Sequence, residues 1–237
     1  MARTITDDDG PGNRDSQSVA EKRREQIVNS AITLFSERGY FQTTIEDISN
    51  DINVGKGLIY RYFKDKNDVL FYALCVVLEK YKKEDIVQLV GKVGPLAALK
   101  KVLRIKCSIA QEHTLEVILA YRSTKDLLPE QRHQIKEIEL GIAGGIKECL
   151  EACIKAGFMV PVDTDIMAYQ YIIYGDAWAL KNWAFRDKCS ASEYLAEGEK
   201  LLIWPFLTEL GREEFKKIEK DGAVSWQPST ARRRKNR

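Results

Sequence analysis

Long apolar segments, paired cysteines and a large excess of one charge are all missing from this chain of 237 residues. No run approaches the roughly 18 apolar residues that a membrane-spanning helix needs, so we expect no membrane partner. The five cysteines are odd in number and scattered, and no cleavable leader is recognisable, which predicts reduced thiols and a cytoplasmic location. The formal net charge of +2 identifies no partner by itself, so only the distribution of charge is informative.

Patterns typical of catalysis or metal binding are also scarce. Cys149 and Cys153 lie four apart on one helical face, a spacing that permits metal ligation or thiol chemistry, but neither His113 nor His133 lies near them in the sequence. Buried small apolar side chains are the favoured interpretation of these cysteines. Without a nucleophile–base pair, a metal-ligand cluster or a phosphate-binding loop, the sequence predicts no enzyme, no metal site and no cofactor.

Helical periodicity is what the sequence does contain, and no segment is convincing as a strand. Glycine, proline and cap residues separate short helices near the N-terminus from longer ones behind them. The longer helices are predicted at 95–112, 114–125, 129–157, from 163 or 165 to 187, and from 190 or 192 to 210 with a weak point at Pro205. The predicted fold is all-α, with a disordered arm at 1–18, a three-helix domain at 19–66, a larger helical domain at 67–212 and a polar, basic tail at 213–237.

The segment NVGKGLIYRYFKDKNDV, residues 53–69, carries the most specific signal. At 100° per residue, Ile59 and Phe63 fall on one side, where they can pack on the preceding helices. The opposite side carries Lys56, Gly57, Tyr60, Arg61 and Lys64. Cations, an aromatic hydroxyl and a glycine that lets the backbone approach closely suit the major groove of DNA. The alternative is the solvated side of an ordinary amphipathic helix, but a helix opened by Thr44 precedes it, which makes the pair a helix-turn-helix.

Residues 21–68, with LFSERGY, TTIEDIS and VGKGLIYRYFKDKNDVL in order, resemble the DNA-binding domain of the tetracycline-repressor (TetR) family of bacterial regulators. The resemblance covers about a fifth of the chain. It implies DNA contacts by Thr44, Lys56, Gly57, Tyr60, Tyr62 and Lys66, to which the helix periodicity adds Arg61 and Lys64. The chain departs from the family pattern at Gly55, often serine, and at Leu58, often a smaller residue, which affects the identity of the operator.

The resemblance also implies a homodimer through the last two long helices and a small-molecule effector in the larger domain. Residues 166–186 and 193–210 are apolar over more than one face, as an interface requires, although central helices of a monomer look the same. The candidate ligand contacts are Tyr121, Arg122, Lys125, Tyr174, Trp178 and Trp183. An aromatic stripe at helical spacing is also what a packed core contains.

The sequence therefore predicts a ligand-responsive regulator of transcription in the bacterial cytoplasm, bound to the nucleoid through double-stranded operator DNA. We expect a repressor that a small molecule releases from a palindromic operator, with an acyl-CoA or another lipophilic or aromatic compound as the effector. Two alternatives remain at this stage. One is a nonspecific architectural DNA binder, and the other is a helical-bundle enzyme with an aromatic pocket.

Overall fold

The computed structural model describes residues 11–81 and 83–220, and within these ranges every regular element is a helix. An isolated antiparallel bridge joins Met159 and Leu207. The all-α prediction is confirmed. The chain divides into two compact units, Met1–Ala73 and Leu74–Arg237. Within the described ranges, no helix combines the length and apolar character needed to cross a membrane.

The first unit contains α1 (Pro11–Arg38), α2 (Ile45–Asp51), α3 (Lys56–Tyr60) and the start of α4 (Lys66–Leu78). Positive φ angles mark two of the breaks, 88° at Gly39 after α1 and 54° at Asn53 between α2 and α3. Ile27, Ile48 and Ile59 are completely buried, one from each of the first three helices. These three helices therefore share one small core.

Helix α1 begins earlier than the composition of the sequence indicates. Residues 1–18 were expected to form a disordered arm, but the backbone of residues 11–18 is helical, and residues 1–10 lie outside the described residues. Pro11 is tolerated at the start because the first N–H of a helix has no intrahelical partner. A helix fixed by packing farther along can also extend toward its N-terminus, since each added residue gains a backbone hydrogen bond.

The second unit is a bundle in which α6 packs on α8 and α9, and α5 lies against α8. Its helices are α5 (Lys83–Val93), α6 (Pro95–Glu112), α7 (Thr114–Ser123), α8 (Pro129–Lys155), α9 (Thr164–Leu180), α10 (Asn182–Phe185), α11 (Ala191–Leu202) and α12 (Glu209–Lys220). The predicted starts at residues 95, 114 and 129 are confirmed.

The predicted helices after residue 160 are each divided in two. Lys181, with φ −122° and ψ 22°, leaves the helical region and separates α9 from α10. Pro205 lies in a short 3₁₀ turn, Trp204–Phe206, that separates α11 from α12, because proline cannot donate the backbone hydrogen bond that would continue the helix.

Helix α12 occupies part of the segment expected to be a polar tail. Phe215 and Ile218 are three residues apart and both buried, and Lys100 Nζ lies 3.4 Å from the centre of the Phe215 ring. The same ammonium lies 3.0 Å from Glu199 on α11. Residues 213–220 therefore belong to the helical unit, and residues 221–237 lie outside the described residues.

Candidate nucleic-acid interface and ligand cavity

Helix α3 is held to the first unit by one side only. Ile59 is completely buried and Phe63 is 3% exposed, as the periodicity predicts. Gly55 is the N-cap, with φ −74° and ψ 144°, and provides no side-chain cap. The helix is only five residues long, so packing of its apolar side, and not its own length, stabilises it.

The other side of α3 is exposed. Tyr60 is 55% exposed, and Lys56, Gly57, Arg61 and Lys64 are exposed with it, in agreement with the predicted face. A Cβ added at Gly57 would meet no atom within 4 Å, so packing within the chain does not require a glycine there. A glycine on an exposed basic surface leaves the backbone open to close approach by a ligand such as DNA.

Lys56 has one ionic partner within the unit. Its Nζ lies 2.8 Å from Glu46 Oε2, and both side chains are about half exposed, at 51% and 59%. An exposed pair of this kind contributes at most about 1 kcal/mol, so Lys56 can exchange Glu46 for a phosphate or a guanine at little cost.

Thr44 organises the entry to α2 through a capping box. Its hydroxyl accepts a hydrogen bond from Asp47 N at 3.1 Å, and its own N–H donates to Asp47 Oδ2 at 2.8 Å. The Thr44 hydroxyl also donates to Asp47 Oδ2 at 2.6 Å, and this bond, followed by that from the Thr44 N–H, lowers the pKa of Asp47. Thr44 thus fixes the first turn of α2 and is itself exposed. Tyr62 is half-buried beside the exposed face.

Lys66 differs from the other predicted DNA contacts because its ammonium is held by backbone carbonyl oxygens of the same unit. It donates to the carbonyl oxygens of Tyr40 at 2.9 Å and Thr43 at 2.8 Å, and lies 3.5 Å from that of Phe41. It also stacks over the Tyr40 ring, 4.4 Å from the centroid. The structure therefore gives this side chain a positioning role for the loop between α1 and α2.

The second unit contains a cavity of about 360 Å³. Its walls come from α4, α6, α7, α8 and α9 and are mostly apolar. The polar lining residues are Tyr81, Lys106, Tyr121, Thr124, Glu139, Tyr169 and Asp176. Cavities of roughly 300–1,000 Å³ with a few convergent polar groups are typical of small-molecule sites.

A buried ion pair forms one wall of the cavity. Lys106 Nζ lies 2.8 Å from Asp176 Oδ1, and each side chain is only 7% exposed. The Tyr121 hydroxyl donates to Asp176 Oδ2 at 3.1 Å, and the Lys106 ammonium lies 4.0 Å from the centre of the Tyr81 ring. Gly175 makes room for this arrangement, because a Cβ there would clash with the Lys106 stem.

Glu139 places a second carboxyl group beside this ion pair. Burial raises its pKa, Lys106 opposes the shift, and the charge of Asp176 adds to it. The cavity wall therefore holds one ammonium, already paired, and two carboxyl groups. Such a wall disfavours the entry of another negative charge.

Of the six predicted ligand contacts, only Tyr121 lines this cavity. Arg122 and Lys125 are exposed outside it, and Trp183 is 71% exposed. Tyr174 and Trp178 instead pack against Tyr194, with ring centroids 4.5 Å and 5.2 Å away. These two aromatic residues belong to the contact between α9 and α11, the core interpretation that the sequence left open.

The cysteine pair of α8 is buried in the helical core of the second unit. Cys149 and Cys153 have no measurable exposure. Within residues 11–81 and 83–220, no three His, Cys, Asp or Glu side chains are grouped closely enough to hold a metal ion. The described surroundings of both thiols agree with small apolar core residues.

Helices α9 and α11 expose large apolar side chains. On α9, Ile166 is 62% exposed and Ile173, which also lines the cavity, is 47% exposed, and on α11 Leu201 is 60% exposed. Ile166 and Ile173 are seven residues apart, so they lie on the same side of the helix. Exposed apolar faces of this extent are typical of protein–protein contacts.

Comparison with known proteins gives a family for the first unit and a relative for most of the chain. The family model described as bacterial regulatory proteins, tetR family, matches residues 27–73. The chain is 41% identical over 200 residues to the HTH-type transcriptional regulator HbdR of Aromatoleum sp. (strain CIB). That alignment covers 84% of this chain and 87% of HbdR.

Solved structures share the architecture of both units. AibR, solved in complex with isovaleryl coenzyme A and operator DNA, has a TM-score of 0.65 at 20% identity and covers 78% of this chain and 99% of its own. FadR from Bacillus subtilis, solved in complex with stearoyl-CoA, has a TM-score of 0.63 at 20% identity and covers 76% of this chain and 97% of its own. At this level of identity the likeness establishes the fold.

Proposed function

The chain belongs to the tetR family of bacterial regulatory proteins, and from that membership we propose that it is a repressor that a small molecule releases from operator DNA. As a transcriptional regulator it is not an enzyme. The observation that carries the DNA-binding half of the proposal is the exposed face of α3, where cations and Tyr60 surround a glycine that no packing explains. The site of action is the nucleoid, in the bacterial cytoplasm.

In this proposal α3 enters the major groove. Lys56 and Arg61 donate to guanine acceptors or to phosphates, Tyr60 packs on a thymine methyl or donates to a phosphate, and Gly57 lets the backbone approach. Thr44 and Tyr62 meet the flanking phosphates, and Lys66 holds the loop that leads into α2. Phosphate contacts set affinity and register, while contacts to base edges set sequence preference.

Operator binding can be tested by fluorescence anisotropy on a labelled duplex from upstream of the protein's own gene. Tyr60→Ala should cost about 1–3 kcal/mol on this duplex. Lys56→Ala should weaken binding to all duplexes alike if Lys56 contacts phosphate. It should then also reduce the slope of log affinity against log salt concentration by about one. Lys101→Ala, which removes an exposed cation from α6, is the matched control and should bind normally.

A random duplex of the same length separates the proposal from a nonspecific architectural role. Specific sites are typically bound about 10³–10⁷ times more tightly than random DNA. Equal affinity for both duplexes, or normal operator binding by both α3 variants, would contradict the proposal.

We place the acyl group of the effector in the 360 Å³ cavity and assign the effector to the acyl-CoA thioesters. Two proteins of the same fold were solved with such thioesters, and the cavity wall here favours an uncharged group. The effector acts by binding one of two arrangements of the protein more tightly, which shifts the population away from the DNA-binding form. Val77 and Leu78 line the cavity and end α4, the next helix after α3, which begins at Lys66.

Titration of the protein–operator complex tests the effector class. The panel contains isovaleryl-CoA, stearoyl-CoA, a medium-chain acyl-CoA and an aromatic acyl-CoA, with free coenzyme A and the corresponding free acids as controls. At least one thioester should lower the anisotropy of the labelled operator at concentrations where its free acid and coenzyme A do not. Release by the free acids, or by none of the compounds, would contradict the assignment to thioesters.

We further propose a homodimer through α9 and α11, supported by their exposed apolar faces. A two-fold dimer would present two copies of α3 to successive major grooves of a palindromic operator. Light scattering should give twice the chain mass of 27.1 kDa. The double variant Ile166→Glu/Leu201→Glu should give the mass of one chain, whereas Leu115→Glu, at an exposed leucine of α7, should remain dimeric. A monomeric wild-type protein would exclude this part of the proposal.

A further inference from the structure

The 360 Å³ cavity reaches the protein surface beside the end of α7 and the first half of α8. Tyr121 lines the cavity and is 49% exposed, and Glu139 lines it and is exposed as well. A lining residue with so much exposed surface lies where the cavity opens to solvent. The side chains around Tyr121 and Glu139 therefore meet any part of a ligand that remains outside the cavity.

On α8, two cations continue the line of Glu139 toward the start of the helix. Lys136 lies three residues before Glu139 and Arg132 seven residues before it, so both project from the same side of α8, over about 10 Å of its length. Glu130 and Glu137 lie about 140–160° away from Arg132 around the helix. This side of α8 therefore changes from a carboxyl group at the cavity to cations outside it.

The end of α7 adds positive charge beside these two cations. Arg132 Nη2 donates to the carbonyl oxygens of Lys125 at 2.8 Å and Leu127 at 3.0 Å, which joins the start of α8 to the turn after α7. Arg122 and Lys125 are exposed, and each directly follows a residue that lines the cavity. Asp126, in the same turn, is half-buried. The two stretches form a basic rim, defined here as Arg122, Lys125, Arg132 and Lys136.

The cations of the basic rim are available to a ligand. Among the described residues, no carboxylate lies within ion-pair distance of Arg122, Lys125 or Lys136. Farther along α8 the situation differs, since Lys147 lies 2.7 Å from Asp165. Cations that are gathered at one opening without close counter-charges attract anions to it.

We infer that the basic rim binds the phosphate groups of coenzyme A while the acyl group occupies the cavity. This inference rests on the proposed acyl-CoA effector. Coenzyme A carries its phosphates at the end remote from the thioester, and the pantetheine arm between them is uncharged. The arm can therefore pass Glu139 without charge repulsion, and the phosphates reach lysine and arginine donors outside. A cavity whose wall disfavours negative charge can in this way serve a ligand with several phosphates.

Paired probes that differ in their phosphates test the basic rim. Isovaleryl-CoA, octanoyl-CoA and benzoyl-CoA are compared with the N-acetylcysteamine thioesters of the same acids, which keep the acyl group and the neighbouring amide but have no phosphate. Binding to the full chain is measured by calorimetry at low salt for wild type, Lys125→Ala/Lys136→Ala and Lys101→Ala/Lys155→Ala. The last variant is the matched control, because it also removes two exposed cations, and Lys155 lies about 28 Å from Lys136 along the same helix.

For at least one of the three acyl groups, Lys125→Ala/Lys136→Ala should lower the affinity for the CoA thioester about tenfold, the value of two exposed ion pairs. Its affinity for the matching N-acetylcysteamine thioester should not change. The tenfold loss should shrink as salt is added, because exposed charges are screened. An equal loss for both members of a pair, the same loss in the control variant, or no loss or no binding of any CoA thioester would overturn the inference.

Operator release, measured in parallel by anisotropy, separates this inference from the proposed function. Release by a thioester at the same concentration in wild type and in Lys125→Ala/Lys136→Ala would retain the effector class and reject the phosphate contact. The expected loss of thioester affinity in that variant, without release of the operator from wild type by any thioester, would retain the phosphate contact and reject the effector assignment.

Discussion

Replacing Asp176 by alanine should destabilise the second unit strongly, because it leaves Lys106 as a buried cation without its counter-charge. The two side chains are each 7% exposed at a separation of 2.8 Å, and the fit of the Lys106 stem against Gly175 limits retreat of the ammonium to solvent. Removing one partner of such a pair typically costs about 3–5 kcal/mol. Tyr121 also loses its acceptor, but it is 49% exposed, so water can replace the lost bond.

An exposed ion pair of nearly the same length supplies the matched control. Lys147 Nζ lies 2.7 Å from Asp165 Oδ2, with the aspartate side chain 73% exposed. Asp165→Ala should therefore cost no more than about 1 kcal/mol, although the distance is similar, because water screens an exposed pair. The comparison isolates burial as the cause of any difference.

Thermal and urea unfolding, followed by far-UV circular dichroism at one fixed protein concentration, measure both effects. A cost of about 3–5 kcal/mol corresponds to a melting temperature lower by about 6–20 °C in a unit of this size. The apolar double variant Lys106→Met/Asp176→Leu should regain most of the loss, since no charge then remains buried. If Asp176→Ala were no more destabilising than Asp165→Ala, or if the double variant were worse than the single one, the account of this ion pair would be wrong.

Further predictions concern the first unit. Gly57→Ala should leave the free energy of unfolding unchanged or raise it by up to about 1 kcal/mol, because alanine has the higher helix propensity. Operator affinity measured by anisotropy should fall, and normal affinity would show that the glycine does not face DNA. Lys66→Met should lower the unfolding free energy by about 1–3 kcal/mol, because the loop carbonyls lose a charged donor, whereas Lys64→Met should not change it. The pKa of Asp47 is lowered in the folded state, so its contribution to stability is present at neutral pH and is lost as the pH falls below about 4. Urea titrations at several pH values should show less acid loss in Asp47→Asn than in wild type.

The exposed face of α3 was predictable because its signal is local. Ile59 and Phe63 are four residues apart, and their burial alone determines which side of a five-residue helix is exposed. The exposure of Gly57, on the opposite side, can then be predicted without information from the rest of the chain. The engagement of Lys66 was not predictable in this way, because its carbonyl partners lie more than 20 residues earlier in the sequence.

Five of the six predicted ligand contacts do not line the cavity, and there is a physical reason. Helix α9 is apolar on nearly all sides, so periodicity could not tell whether Tyr174 and Trp178 face a ligand or a neighbouring helix. The polar wall did leave a signal that the sequence interpretation missed. Asp176 is the single charge in the apolar stretch YIIYGDAWAL, and a lone charge within an apolar helix needs a buried partner such as Lys106. Gly175 beside Asp176 is a further sign of close approach.

The buried ion pair is better explained by ligand recognition than by stability. Apolar residues of similar volume often stabilise a core as well as a buried pair does, so stability alone gives no reason to place Lys106 and Asp176 in this bundle. Their position does give one. The pair lies in the wall of the 360 Å³ cavity, its ammonium lies over the ring of Tyr81, and Tyr81 ends the 3₁₀ turn Glu79–Tyr81 that follows α4. A ligand that reorganises this wall would change the contacts of Tyr81, which follows α4. Helix α4 contains residues of both units. An apolar wall would bind lipophilic compounds with little discrimination, whereas a charged pair in the wall gives the cavity polar groups that can distinguish one ligand from another.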